Sequence, residues 1–281
     1  MLTQHNMSQS LPHRQSHRLP HRLSMRSGPK SSSGFTLIEL MISVAIGVII
    51  LSVAVGLVFT SAESRRIVKH SAELQQEAFF VTHTLKQQLA QTGYRGIIPG
   101  NPSARSVPIA TRAVTFPAVP GEWESGQVVK AENGTLFYRF DGASLFDGSA
   151  DGSVFDCLGN TIPQGSHQES QISLQNNKLV CTVGTDSIVL IGTDDGTRVE
   201  QLDFSIGVDT DGDNGVDQLI ESDAATTDDF LNARSLTLNM LLATRDAVIK
   251  NSKSYRYKGG DNTSTDNRLR TEVVVSVAIR N

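Results

Sequence analysis

The densest set of oxygen ligands in the chain is Asp209-Thr210-Asp211-Gly212-Asp213-Asn214-Gly215-Val216-Asp217. Carboxylates at alternate positions of a tight loop suit Ca²⁺, a hard cation that takes oxygen ligands. Asp209, Asp211, Asp213 and Asp217 fall at positions one, three, five and nine of an EF-hand-like loop, and a backbone carbonyl near Gly215 could supply a further ligand. Two positions depart from the pattern. Asn214 stands where glycine is usual, and position twelve is Ile220, with Glu221 one place later. The alternative reading is an acidic, solvated hairpin turn.

The two cysteines, Cys157 and Cys181, are expected to pair if the domain is exported, and otherwise to stand as two separate buried thiols. Closing that loop contributes about 3 kcal/mol in the chain-entropy treatment. Other reactive patterns are missing from the sequence: it has no Cys-x-x-Cys, no His-Glu-x-x-His, no Gly-x-Ser-x-Gly and no Walker loop. Outside the first 34 residues only His70, His83 and His167 remain, too few to suggest a catalytic constellation. His83 is expected at the surface or in satisfied packing. Glu122 and Glu124 flank Trp123 as neighbours on one strand face would, a spacing common on surfaces. Phe79, Phe80 and Leu85 are expected in the core. No enzyme activity is read from these residues.

Charge is unevenly spread. Residues 1–34 carry Arg14, Arg18, Arg22, Arg26 and Lys30 and no acid, so the remaining chain holds 20 basic against 29 acidic residues, a net charge of -9. Phosphate contacts need Lys and Arg, so direct nucleic-acid binding is disfavoured unless Arg95, Arg105 and Arg112 form a local patch.

The element after this basic segment is apolar from Phe35 to Thr60, with Glu39 its single charge. It is long enough to span a bilayer as a helix. Basic residues before it predict a cytoplasmic N-terminus and an exported remainder. A carboxylate at this depth is costly unless a cation is near. Cutting the chain after Gly34 would give Phe35 a free amine within about one helical turn of Glu39, or of Glu39 on a neighbouring subunit.

Gly34-Phe35-Thr36-Leu37-Ile38-Glu39, with its basic leader and following apolar run, resembles the prepilin cleavage and methylation motif of type IV pilins and type II secretion pseudopilins. The resemblance implies that a prepilin peptidase cuts between Gly34 and Phe35 and N-methylates Phe35, and that Glu39 docks the subunit into a filament. Gly56 departs from the kinking proline that major pilins often carry. Met25 would start a ten-residue leader that keeps Arg26 and Lys30, leaving the repeated Leu-Pro-His-Arg segment before it untranslated.

Beyond the membrane the helix is expected to continue to Thr92, because Ile67, Leu74, Ala78, Val81, Leu85 and Leu89 share one face. Fewer than four clean heptads argue against a coiled coil. Gly93 is the expected stop. After a proline-rich connection, strands are expected at 136–140, 187–191, 202–208, 236–242 and 273–279, with Asp-Gly turns favouring antiparallel pairing. The expected fold is α+β: a long N-terminal helix, membrane-spanning in its first half and amphipathic in its second, packed on an antiparallel β-sheet domain. The expected division is a leader at 1–34, a membrane or filament-core helix at 35–62, an amphipathic half at 63–92 and an extracytoplasmic domain at 93–281.

Gln91-Thr92-Gly93-Tyr94-Arg95-Gly96 resembles the junction of PilW-type minor pilins, and Cys157 after Phe155-Asp156, Val199-Glu200-Gln201-Leu202, the acidic loop and the closing Ala278-Ile279-Arg280-Asn281 fit the same pattern. The resemblance implies a minor pilin that helps initiate a type IV pilus near its tip, and through it adhesion, twitching motility or DNA uptake. The implied partners are the prepilin peptidase, other minor and major pilins, the inner-membrane assembly platform and a tip adhesin. The implied location is the inner membrane with a periplasmic domain, then the pilus surface. The alternative is a minor pseudopilin of a type II secretion system.

Overall fold

The computed structural model describes residues 34–96, 116–145, 147–192, 196–251 and 253–280. The leader before Gly34, Met25, the prolines at 99, 102 and 108, Arg105 and Arg112 lie outside them. Helix α1 runs Leu37–Leu89, close to the bounds expected from its pattern. The chain divides between Leu57 and Val58 into two units. In the first, the helix exposes every side chain, and α1 is long and apolar enough to cross a membrane.

In the second unit the helix buries Leu74, Val81, Leu85 and Leu89 in the domain's hydrophobic core, with Ala78 packed against it. These are members of the expected stripe, and a Leu-to-Ala change among them would cost roughly 2–5 kcal/mol. Phe79 and Phe80 are a correction. They are 77% and 59% exposed rather than core, because consecutive helical residues are 100° apart and the buried stripe runs through Ala78 and Val81. Leu85 is buried as expected, and His83 is exposed.

All strand pairings are antiparallel, but they form two principal sheets rather than one. Strands β1 (Val129–Glu132), β2 (Thr135–Phe140), β3 (Gln168–Gln175), β4 (Lys178–Val183) and β5 (Asp186–Ile191) pair in sequence order. The second sheet takes β6 (Arg198–Val208), β7 (Gln218–Glu221), β8 (Ala233–Ala243) and β11 (Arg270–Ala278) in the order β11-β8-β6-β7. A short helix, α2 (Thr227–Leu231), precedes β8, and β9 (Lys253–Tyr257) with β10 (Gly260–Ser264) makes a separate hairpin. The strands expected from alternation fall in β2, β5, β6, β8 and β11.

Register explains why alternation was informative in the second sheet. Leu236, Leu238 and Met240 on β8 face Ile206, Phe204 and Leu202 on one side. On the other they face Val277, Val275 and Val273. These three valines are buried while Val274 between them is exposed, as a period of two requires. The sheets meet at the β3–β4 turn: the Val199 N–H donates to the Asn177 carbonyl at 2.9 Å, and the Arg198 guanidinium donates to its side-chain oxygen at 2.6 Å.

Asp141-Gly142 is not a hairpin turn, which corrects another expectation. The β1–β2 hairpin turns instead at Asn133-Gly134, both with positive φ. Asp141 is fully buried and accepts N–H bonds from Gly96 at 3.2 Å and Gly165 at 2.7 Å. Its carboxylate closes a long loop instead of opening a tight turn.

Candidate functional site

At the head of α1, Thr36 and Glu39 form a reciprocal cap. The Glu39 N–H donates to the Thr36 hydroxyl at 3.3 Å, and the Thr36 N–H and hydroxyl both lie 3.4 Å from Glu39 Oε2. This is a capping box, and the carboxylate also lies at the helix's positive end. The Thr-x-x-Glu spacing is a capping-box signature in the sequence itself, and it gives Glu39 a local role beside the amine pairing and filament docking expected of it. Gly34 and Phe35 sit just outside the helix, with Phe35 exposed. A Cβ built on Gly34 would meet nothing within 4 Å. Gly34 and Phe35 therefore stand clear of the packing that holds the chain together.

The other end of the helix is built into the domain. Gly93 has φ 73°, a left-handed conformation that favours glycine. Its N–H donates to the Arg139 carbonyl at 2.9 Å. A Cβ there would lie 2.7 Å from the Arg280 carbonyl oxygen. The Arg280 N–H donates to the Thr92 carbonyl at 3.0 Å, and its guanidinium lies 5.6 Å from the Tyr94 ring centroid. The Gly-Tyr-Arg-Gly segment thus joins the helix end to the chain's last strand and to β2. Gly93→Ala is expected to destabilise the chain by about 1–3 kcal/mol, lowering Tm by several degrees in a thermal melt of the detergent-solubilised protein.

Gln91 adds a second tie. Its amide accepts from the Phe155 N–H at 3.1 Å and donates to the Phe155 carbonyl at 3.0 Å. Two residues on, Cys157 forms the disulfide to Cys181 on β4, with a Cα–Cα separation of 6.4 Å. Cys157 and Cys181 therefore pair, and the bridge fixes the loop that holds the helix terminus.

The acidic segment connects β6 to β7 as a hairpin loop. It brings carboxylate oxygens of Asp209, Asp211 and Asp217 within 4.8 Å of one another. Asp213 and Gly215 stand outside that group; the Gly215 N–H donates to Asp213. Asp209 is buried, accepts from the Gly212 and Asn214 N–H groups, and is paired with Arg234 at 3.1 Å. Burial alone would raise its pKa, but the Gly212 N–H and Arg234 outweigh it and hold the carboxyl below the ordinary range. The Thr210 N–H and hydroxyl do the same for Asp217. Both are anionic at neutral pH, so three carboxylates and one guanidinium share the loop's base. A hard cation would have to use the lone pairs these bonds leave.

Glu122 and Glu124 lie in an exposed turn around the buried Trp123, not on a strand face. The Trp123 ring lies 4.3 Å from the Arg139 guanidinium, and its N–H donates to Glu169 at 2.8 Å. This arrangement packs the segment against the first sheet.

The helix is long and apolar enough to cross a membrane, and its head is exposed, an arrangement suited to anchoring. Comparison with known proteins gives two family matches: the prokaryotic N-terminal methylation motif at residues 29–55 and Type IV Pilus-assembly protein W at residues 168–281. The chain is a type IV pilin-like protein of the PilW type. The PilW match covers β3 to the C-terminus and so includes the acidic loop, Cys181 and Arg280. Among solved structures, a type IV-like pilin from Thermus thermophilus is 12% identical, with TM-score 0.42, over 73% of this chain and 95% of its own. No curated protein matches the chain. The PilW-type assignment makes this a minor-pilin-like subunit, of a family whose members are typically structural, and implies contact with other pilins and with pilus machinery.

Proposed function

We propose that the chain is a membrane-inserted precursor, cut between Gly34 and Phe35 by a prepilin peptidase, N-methylated at Phe35, and taken into a type IV pilus as a minor subunit. Its role is pilus initiation near the tip, and through it adhesion, twitching motility or DNA uptake. The observation that carries this reading is a methylation signature at the head of a membrane-length helix together with a PilW-type domain on the same chain. That domain favours a pilus over the pseudopilus of type II secretion. The chain starts in the inner membrane with its domain in the periplasm and ends on the pilus surface. Its partners are the peptidase, other minor and major pilins, the assembly platform and a tip adhesin, and it works by assembly rather than catalysis. Deleting the chain should leave few surface pili, restored by re-expression; normal piliation in its absence would overturn the reading.

Chemistry at the helix head follows from cleavage. The Thr36 hydroxyl and Glu39 share hydrogen bonds in the precursor. Cutting at Gly34 puts a cationic amine on Phe35, four residues before Glu39. An ion pair inside one chain or across two neighbours then lowers the cost of holding the carboxylate among apolar helices. The exposed Phe79 and Phe80 extend the unpartnered surface of α1 above the membrane, where neighbouring subunits would cover them. Phe79→Ser with Phe80→Ser should change stability little, within about 0.5 kcal/mol for each exposed site. Recovery in sheared pili should fall roughly tenfold or more, since two phenylalanines would lose their buried area. Unchanged recovery would remove this contact.

The clustering of Asp209, Asp211 and Asp217 favours a second reading for that loop, a Ca²⁺ ion at the β6–β7 turn. Millimolar Ca²⁺ is then expected to raise Tm by a few degrees, reversed by chelator and lost in Asp211→Asn. A Tm indifferent to Ca²⁺ would leave Arg234 as the loop's sole counter-charge.

A further inference from the structure

We infer that the foot of the β-rich domain binds anionic phospholipid headgroups on the exported face of the membrane that α1 spans, through a basic collar formed by two chain segments. This inference rests on the membrane-anchored reading above. The first segment is α1 just past its apolar run. Phe59 is the last residue of that run, and Arg65, Arg66 and Lys69 follow. At 1.5 Å per residue these lie about 9–15 Å further along the axis, at headgroup depth or just above it. The second segment is the connection between β8 and β9. It descends along the helix: the Arg66 guanidinium donates to the Ala247 carbonyl at 3.1 Å, and Lys250 pairs with Glu63, one turn nearer the membrane.

The connection is held in place by its neighbours. Val248 and Ile249 are buried, and their N–H groups both donate to the Asn267 carbonyl, at 2.8 and 3.0 Å. Lys250, beside the helix through Glu63, and Lys253, at the start of β9, are both exposed.

Charge decides the occupant. Residues 61–73 and 245–253 hold Arg65, Arg66, Lys69, Arg245, Lys250 and Lys253 against Glu63, Glu73 and Asp246, a net charge of +3, with Lys69 paired to Glu73 and Lys250 to Glu63. The chain from Phe35 onward carries -9. These two segments, which meet through the Arg66–Ala247 and Lys250–Glu63 contacts, are therefore basic in a chain that is otherwise acidic, and lipid phosphate is the counter-charge such a patch fits. Exported flanks of membrane helices are ordinarily poor in Lys and Arg, so the collar runs against the usual bias. Each basic residue held near an anionic bilayer strengthens binding roughly fivefold at low salt, and the effect fades as the screening length shrinks to about 3 Å near 1 M salt.

The test uses the full chain reconstituted in vesicles of phosphatidylcholine alone or with phosphatidylglycerol at about one lipid in three. Amide hydrogen exchange is followed at residues 245–251. Arg65→Glu with Lys253→Glu is the variant, because these two exposed cations take no part in the contacts that hold the connection to the helix. The expected result is exchange roughly fivefold or more slower with phosphatidylglycerol, a difference abolished by high salt and by the variant. Equal exchange in both lipids would overturn the proposal. So would protection that follows protein density rather than lipid charge, which would assign the collar to a neighbouring copy. A chain extracted from both vesicle types by carbonate would overturn the anchoring beneath it, a failure distinguishable from the other two.

Discussion

Replacing Gly34 with a bulky residue such as leucine should leave a folded precursor in the membrane and no detectable chain in pili. The two parts of that expectation have separate causes. Gly34 precedes α1, and a Cβ there would meet nothing within 4 Å, so the domain's stability should be unchanged. The peptidase, however, must bring its catalytic groups to the Gly34–Phe35 bond, and a large side chain beside that bond obstructs the approach. Without cleavage the basic leader stays attached to a helix that must leave the lipid, and Phe35 never gains the amine that offsets Glu39. Immunoblots of membrane and sheared-pilus fractions would show the unprocessed band accumulating, with loss from pili of roughly a hundredfold or more, the scale expected when about 3 kcal/mol of assembly energy is withdrawn. Normal processing of this variant would mean that the cut is made elsewhere.

The second large effect concerns the disulfide. Removing both thiols, Cys157→Ser with Cys181→Ser, should cost roughly 3 kcal/mol, because the bridge closes a loop with a sequence separation of 24 residues. The consequence is local as well as global. Gln91 at the end of α1 binds the Phe155 backbone in both directions, and Gln88 donates to the Asp156 carbonyl at 3.4 Å. Those two residues immediately precede Cys157. Freed from β4, their loop would hold the helix terminus less firmly, so amides at 88–93 should exchange faster than those of β8 and β11. Denaturant unfolding gives the first quantity and hydrogen exchange the second. A variant with unchanged midpoint and uniform exchange would assign the bridge no role in docking the helix.

Much of this was legible because strong periods survive tertiary packing. The apolar run and the stripe from Leu74 to Leu89 marked α1, and alternation marked β6, β8 and β11, which share one sheet and one buried face. What escaped was set by contacts distant in sequence. Asp141 looked like a turn residue but is drawn inward by the N–H groups of Gly96 and Gly165. Asn133-Gly134 is the stronger hairpin signal, and it is this turn that pairs β1 with β2. Strand β3 was hidden by polar residues in a partly covered strand, Gln168-Glu169-Ser170-Gln171. Helix α2 carries a Thr226–Asp229 capping box but is only five residues long, too short for periodicity to reveal. Phe79 and Phe80 are apolar yet exposed, because apolar character alone does not say which face of a helix is buried within the chain. In the filament proposed above, the same character would serve a neighbouring subunit.

At the acidic loop, four aspartates and a glycine were expected to act together. Three aspartates do converge, but Asp213 turns to the Gly215 N–H, and Arg234 from the start of β8 reaches Asp209. Nothing in the local spacing announced that cation, since it arrives through sheet pairing.

The most direct test of the central claim is mass spectrometry of the mature N-terminus, in cells with and without the prepilin peptidase. The account predicts a chain beginning at N-methylated Phe35 only where the peptidase is present, and an intact leader where it is absent. An intact leader in both would contradict it, leaving residues 35–60 as an ordinary membrane anchor for the β-rich domain.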